Sequence, residues 1–179
     1  MSHPVEPDPV KLVSSLFSSK KKVLEEVIAQ LSSIYGPVDR IGSEFMFDRT
    51  RYYAKEMGWP LNRCFVSFSK LISAEDLVEV KLKTNELEQQ HLYGGNRKVN
   101  IDPGVLSAER LVLATGKNYV HRTYLSKGIY ADLTLVFKRG SFVPLGWTYP
   151  DYADPEVIDF FNEVRKQYMD QLREMKRID

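Results

Sequence analysis

Five stretches of this chain bring acid, amide, imidazole and cationic groups together with aromatic rings, the mixture from which polar binding sites are built. Residues 47–58 hold Asp48, Tyr52, Tyr53 and Glu56. Tyrosines beside both signs of charge suit a ligand contact, and equally an ordered loop that covers a core edge. In residues 83–88, Thr84 and Glu88 stand four apart, on one helical face, with Asn85 beside them. An ordinary solvated face has the same spacing. In residues 97–104, Arg97 precedes Asn100 and Asp102, whose side chains point the same way from a strand. Pro103-Gly104 follows, so Asp102 closes either a site or a turn. Residues 117–130 carry Lys117, His121, Arg122, Tyr124, Lys127 and Tyr130. On a strand, His121 and Arg122 face opposite sides. Residues 147–152, with Trp147 and Tyr149, read as a lid over a pocket or as a packed linker.

Two functions compete for these groups. In the first, the protein binds, and could act on, a small anionic ligand bearing phosphate or carboxylate. Arg97, Lys117, Arg122 and Lys127 contact the anion. Tyr52, Glu56, Thr84, Asn85, Glu88, Asn100 and Tyr149 complete the pocket. His121, Asp102 and Asp48 supply acid–base groups or, with Glu56, hold a divalent metal ion. This reading expects Asp48, Tyr52, Asn100, Asp102, His121 and Arg122 to converge on one cleft. An imidazole that titrates near neutral pH suits such a site, and a histidine held by a carboxylate in the core is the plainer alternative. In the second, the protein is a non-catalytic module whose exposed aromatics bind a protein or stack single-stranded RNA bases.

Several chemistries find no support. The one Gly-Lys pair, Gly116-Lys117, continues with Asn118 and has Leu111 five positions before it, so it is no phosphate-binding P-loop. No Gly-x-Gly-x-x-Gly opens a helix, and nothing points to nicotinamide or flavin. One cysteine and three scattered histidines make no zinc pattern. No Gly-x-Ser-x-Gly elbow occurs. Cys64 lies in an apolar run and reads as a buried, inert thiol.

The elements that must position these groups follow from periodicity. Residues 10–17 read as a strand and 20–35 as a helix, capped by Ser18 or Ser19 and stopped by Gly36-Pro37. Residues 38–47 read as a second strand, 49–59 as a polar connection, and the alternation around Cys64, Val66 and Phe68 as a third strand. Ser73 with Asp76 resembles a capping box and favours a helix over 77–92, although Val78, Val80 and Leu82 also alternate as in a strand. A fourth strand, 97–102, ends at Pro103-Gly104. Residues 107–116 read as a short helix, and 119–125, 129–137 and 141–145 as strands. Asp154, Pro155 and Glu156 open a terminal helix, with a charged end, 173–179, that frays.

The order gives an α+β fold with an antiparallel-rich sheet: a ferredoxin-like N-terminal βαββαβ, an added antiparallel strand group and a C-terminal helix. At 179 residues the chain fits a single domain, with a polar, proline-bearing arm at residues 1–9. A net charge of +1 gives no global pull toward nucleic acid or membrane. No apolar run is long enough to span a bilayer, and the N-terminus does not read as a signal peptide. A lone cysteine fits a reducing, cytoplasmic setting.

The quoted stretches also occur together elsewhere. Phe47-Asp48 with Tyr52-Tyr53 and Glu56-Met57-Gly58, the run 83–88, Val99-Asn100-Ile101-Asp102-Pro103-Gly104, His121-Arg122 through Ala131, and Trp147-Thr148-Tyr149-Pro150-Asp151-Tyr152 resemble a bacterial family catalogued as domain of unknown function 4416. The likeness spans about residues 8 to 170. It implies no particular activity. Some members carry a GTP-binding label, but this chain has neither a P-loop nor an Asn-Lys-x-Asp motif.

Overall fold

The computed structural model describes residues 1–48 and 51–178; Arg49, Thr50 and Asp179, from two of the stretches above, lie outside the described residues. In chain order the elements are β1 (Val10–Ser18), α1 (Lys21–Tyr35), β2 (Val38–Ile41), β3 (Phe45–Met46), α2 (Ala54–Met57), β4 (Asn62–Ile72), α3 (Leu77–Gln90), β5 (Leu92–Tyr93), β6 (Asn96–Arg97), β7 (Asn100–Leu106), β8 (Arg110–Thr115), β9 (Arg122–Ser126), β10 (Ile129–Lys138), β11 (Ser141–Pro144) and α4 (Pro155–Ile178). The fold is α+β. One large antiparallel sheet runs in the order β11-β10-β8-β7-β1-β4-β2, with β3 on β4 and β9 on β10. β5 and β6 form a separate hairpin.

Alternation sets the layers. Leu12 and Leu16 of β1, with Cys64, Val66 and Phe68 of β4, pack against Leu24, Val27 and Leu31 of α1 and Val80 and Leu87 of α3. Val13 and Phe65, one position out of phase, face Val157, Phe161, Val164, Tyr168 and Leu172 of α4. β1 is therefore covered on both faces and flanked on both edges, and all nine of its residues are buried.

Lys11 of β1 is among those buried residues. Its ammonium donates to Asp39 Oδ2 at 2.5 Å and to Gln171 Oε1 at 2.7 Å. Asp39 also accepts from Ser67 and from Gln167 of α4. This cluster ties α4 to β1, β2 and β4, and its carboxylate is matched by a cation and neutral donors, as a buried charge requires.

Several expected elements differ. Residues 38–47 form two short strands separated by residues 42–44; the Gly42 N–H donates to the Phe65 carbonyl, and a Cβ there would lie 3.1 Å from the Phe160 ring. The connection 49–59 contains helix α2. Neither Ser18 nor Ser19 caps α1 in the usual way: Ser18 Oγ donates to the Lys98 carbonyl at 2.5 Å and Ser19 Oγ to that of Met57 at 2.5 Å. β7 runs straight through Pro103-Gly104. β8 pairs with β7 only from Gly104 onward, so Pro103 has no strand beside it on that side. Gly104 is required there, since a Cβ would lie 2.7 Å from both Leu113 Cδ2 and the Val112 carbonyl. Residues 107–116 form a turn and strand β8, not a helix. Residues 119–121 precede β9 rather than belonging to it, and α4 stays helical to Ile178, with Lys176 paired to Asp8.

Removing Lys11 strands a mostly buried carboxylate. Lys11→Met is expected to lower stability by about 3 kcal/mol in urea denaturation, and adding Asp39→Asn should recover part of the loss. An unchanged midpoint for Lys11→Met would show that the pair does not hold α4.

Candidate functional site

One end of the sheet, where β1 finishes and β4 and β7 begin, collects polar side chains on the α4 face. Cross-strand register explains the gathering. Phe17 lies opposite both Arg63 and Asn100, and Ser15 opposite both Phe65 and Asp102. Asp132 lies opposite Leu113, and Leu113 opposite Gly104, two positions from Asp102. Asp102 and Asp132 therefore project from the same face.

Arg97 organises the first half of this rim. Nε and Nη2 donate to the two Glu56 oxygens at 2.7 and 3.0 Å, and Nη1 donates to Glu88 at 2.9 Å and Asn100 at 3.2 Å. Asn100 passes the chain on, its amide donating to Asp102 Oδ2 at 2.7 Å. Glu88 also accepts the Ile101 N–H at 2.7 Å. Lys81, buried on α3, donates to the Ile101 carbonyl and stands 3.6 Å from Asp102 Oδ1. The hydrogen bonds from Arg97 hold the Glu56 carboxyl below its usual range. Burial pushes Glu88 the other way, up, against the pull of Lys81, the Ile101 N–H and Arg97.

Arg122 organises the second half. It donates to Asp132 at 2.8 Å, to the Lys117 carbonyl at 2.9 Å and to the Tyr149 hydroxyl at 2.9 Å. His121 Nε2 is 3.4 Å from the other Asp132 oxygen. Its ring stacks on Trp147 at 5.0 Å, and its buried Nδ1 has no hydrogen-bond partner among the described residues. His121 and Arg122 thus meet one carboxylate instead of opposite faces, because His121 sits in the turn before β9.

Aromatic groups join the halves. Arg63 is buried over the rings of Phe17 and Phe47, pairs with Asp151, and has its guanidinium pKa lowered by burial. Tyr53 packs on Phe17 at 5.0 Å and meets Tyr52 edge-on. The Lys117 ammonium lies 5.8 Å over the Tyr52 ring. Burial raises the Tyr53 hydroxyl, followed by the charges of Asp102 and Tyr149, one from each half.

The rim brings together Tyr52, Glu56, Glu88, Arg97, Asn100, Asp102, His121, Arg122 and Tyr149. Four expected members stand apart. Asp48 is exposed on the loop after β3. Thr84 is buried in α3, its hydroxyl spent on the Lys81 carbonyl, and Asn85 is half-buried beside it. Lys127 pairs with Glu79 on the α3 side of the sheet. Of the cations expected to meet an anion, Arg97, Arg122 and Lys127 are taken up by carboxylates of the protein itself. Among the described residues, no group of three His, Cys, Asp or Glu side chains is placed to hold a metal ion. Burial pushes the Cys64 thiol up to about 11, as an inert thiol requires.

Sequence reasoning missed Arg63, Lys81, Asp132 and Asp151. A signal existed for two of them. Arg63 is in phase with Phe65 on β4, and Lys81 precedes Thr84 and Glu88 by three and seven positions.

Compared with known families, residues 8–168 match the one described as Domain of unknown function (DUF4416). The chain belongs to this family. The match takes in the whole DUF4416 sheet and every rim residue named above. No curated protein and no solved structure matches the chain. No helix among the described residues is long and apolar enough to cross a membrane.

Glu56 gives a pH test. Its folded pKa lies below the ordinary 4.5, so its contribution is present above that value and lost as pH falls through the folded one. Glu56→Gln is expected to lose about 1 kcal/mol or less at neutral pH, and the gap from wild type should close between about pH 5 and pH 2. Chemical denaturation across that range checks it; a gap independent of pH would remove the ion pair from the account.

Proposed function

We propose that the α4-facing rim binds a small ligand bearing a carboxylate or phosphate, and that Lys117 receives the anion. One observation carries this reading. Arg63, Arg97 and Arg122 are each matched to carboxylates, whereas the Lys117 ammonium has no carboxylate partner among the described residues. Arg122 holds the Lys117 carbonyl and the Tyr149 hydroxyl together, so the cation stands beside rings on a braced segment. A braced site loses little conformational freedom when it binds. If binding leads to reaction, Asp102 and His121 are the acid–base candidates, His121 through its unpartnered Nδ1.

The wider reading is of one cytoplasmic domain, supported by the lone buried thiol. The strand order β7-β1-β4-β2, with α1 and α3 as crossovers, supports a ferredoxin-like core.

A second reading rests on the turn before β9 and on β9 itself, where Tyr119, Val120, Tyr124 and Leu125 are all exposed. Such a strip suits a protein or single-stranded RNA partner.

A thermal-shift screen with carboxylates, sugar phosphates, nucleotides and divalent metals separates the two. At about a hundredfold excess over Kd, a ligand adds about 2.7 kcal/mol, a shift of several degrees. The site reading expects a shift with at least one anionic compound that is lost in Lys117→Ala, a variant whose own melting temperature stays near wild type. No shift with any anion, but one with an oligoribonucleotide, would favour the module instead.

A further inference from the structure

The rim holds five carboxylates, Glu56, Glu88, Asp102, Asp132 and Asp151, and five cations, Lys81, Arg63, Arg97, Arg122 and Lys117, so what decides is which of them a ligand can reach. Most of these side chains are out of reach of a ligand: Glu88, Asp132, Asp151, Arg63, Arg122 and Lys81 are all less than a tenth exposed. Glu56 is half-buried and held by Nε and Nη2 of Arg97. Asp102 differs, with 35% of its side chain exposed and no guanidinium holding it among the described residues.

The oxygens of Asp102 are also under-used. A carboxylate accepts about four hydrogen bonds. Among the described residues Asp102 accepts one, from Asn100, and the nearest cation there, Lys81 at 3.6 Å, is beyond hydrogen-bond length. A solvent-facing carboxylate with free acceptor capacity repels an anion at that point. It attracts a donor that carries positive charge.

The surroundings narrow the class of donor. Tyr53 packs on Phe17, directly across the sheet from Asn100, and carries Tyr52 edge-on. Tyr149 completes the aromatic side and is half exposed. Ring faces beside a carboxylate favour an organic ammonium through combined ion-pair and cation–π attraction. No third His, Cys, Asp or Glu among the described residues joins Asp102 to make a metal cage.

We infer that the ligand carries an ammonium group as well as an anion, and that Asp102 receives the ammonium while Lys117 receives the anion. The class is thus an amino acid or an amine-bearing phosphate. This rests on the anion-binding reading of the same rim and adds the group at its other end.

The test compares matched probes on the full-length protein by calorimetry and thermal shift. A series of α- and ω-amino carboxylates is run beside the same carboxylates without the amine and the same amines without the carboxylate. At least one amino carboxylate is expected to bind about tenfold or more tighter than its amine-free counterpart. Asp102→Asn should erase that ratio and leave the amine-free carboxylate unaffected. Lys117→Ala should weaken both anions alike. The wild-type comparison alone decides the matter even were Asp102→Asn to unfold. If amine-free carboxylates bind as tightly as amino carboxylates, the inference is overturned and the anion reading stands. If amines bind without any carboxylate binding, or no probe binds at all, the anion reading falls and the inference with it.

Discussion

A single guanidinium, that of Arg97, joins segments that the backbone leaves separate. It stands on the β5–β6 hairpin, which is not part of the main sheet. Through Glu56 it reaches α2, through Glu88 the end of α3, and through Asn100 the start of β7. The planar fork suits this role, since it offers donors in fixed directions and cannot lose its charge. Asp102 takes its orientation from Asn100, and Tyr53 is carried by the turn that leads into α2. The Arg97 contacts thus set where the exposed carboxylate and the nearest rings stand.

Charge burial gives the rim its character. Arg63, Lys81, Glu88, Asp132 and Asp151 are all buried, and each has an opposite charge or hydrogen-bonding groups within reach. A network of this kind adds little net stability over a well-packed apolar core, and is strongly destabilising when one member is removed. Glu56 and Glu88, two ligands of the same arginine, are pulled in opposite directions because one is accessible to water and the other is not. The same logic explains why a partly exposed Asp102 beside matched pairs is the group most available to a ligand.

Much of the architecture was legible because burial on both faces leaves regular spacing. β1, α1, β4 and α4 carry apolar residues at unmistakable periods, and the Ser73–Asp76 box decided α3. The run Leu111-Val112-Leu113-Ala114 was misread because a central strand covered on both faces shows no alternation. Pro103-Gly104 reads as a turn unless it is known where β8 begins to pair. At the site, Asn100 and Asp102 were visible as same-side polar groups at a strand end, Arg97 as the cation before them, and Glu88 by its spacing from Thr84. Arg63 and Lys81 left only a signal of phase, and Asp132 left none, since one charged residue in a strand or helix looks like surface until the neighbouring layer is known. Lys127 and Thr84 were plausible by residue type and lie elsewhere, because type does not say which face a residue occupies.

The claim that Arg97 holds the rim is most directly tested by amide hydrogen exchange on Arg97→Lys, which keeps the charge and loses the fork. Faster exchange is expected in residues 52–58 and 98–102, with the amides of β1, β4 and α4 protected as in wild type. Unchanged exchange in those two segments, or loss of protection throughout the sheet, would contradict the account.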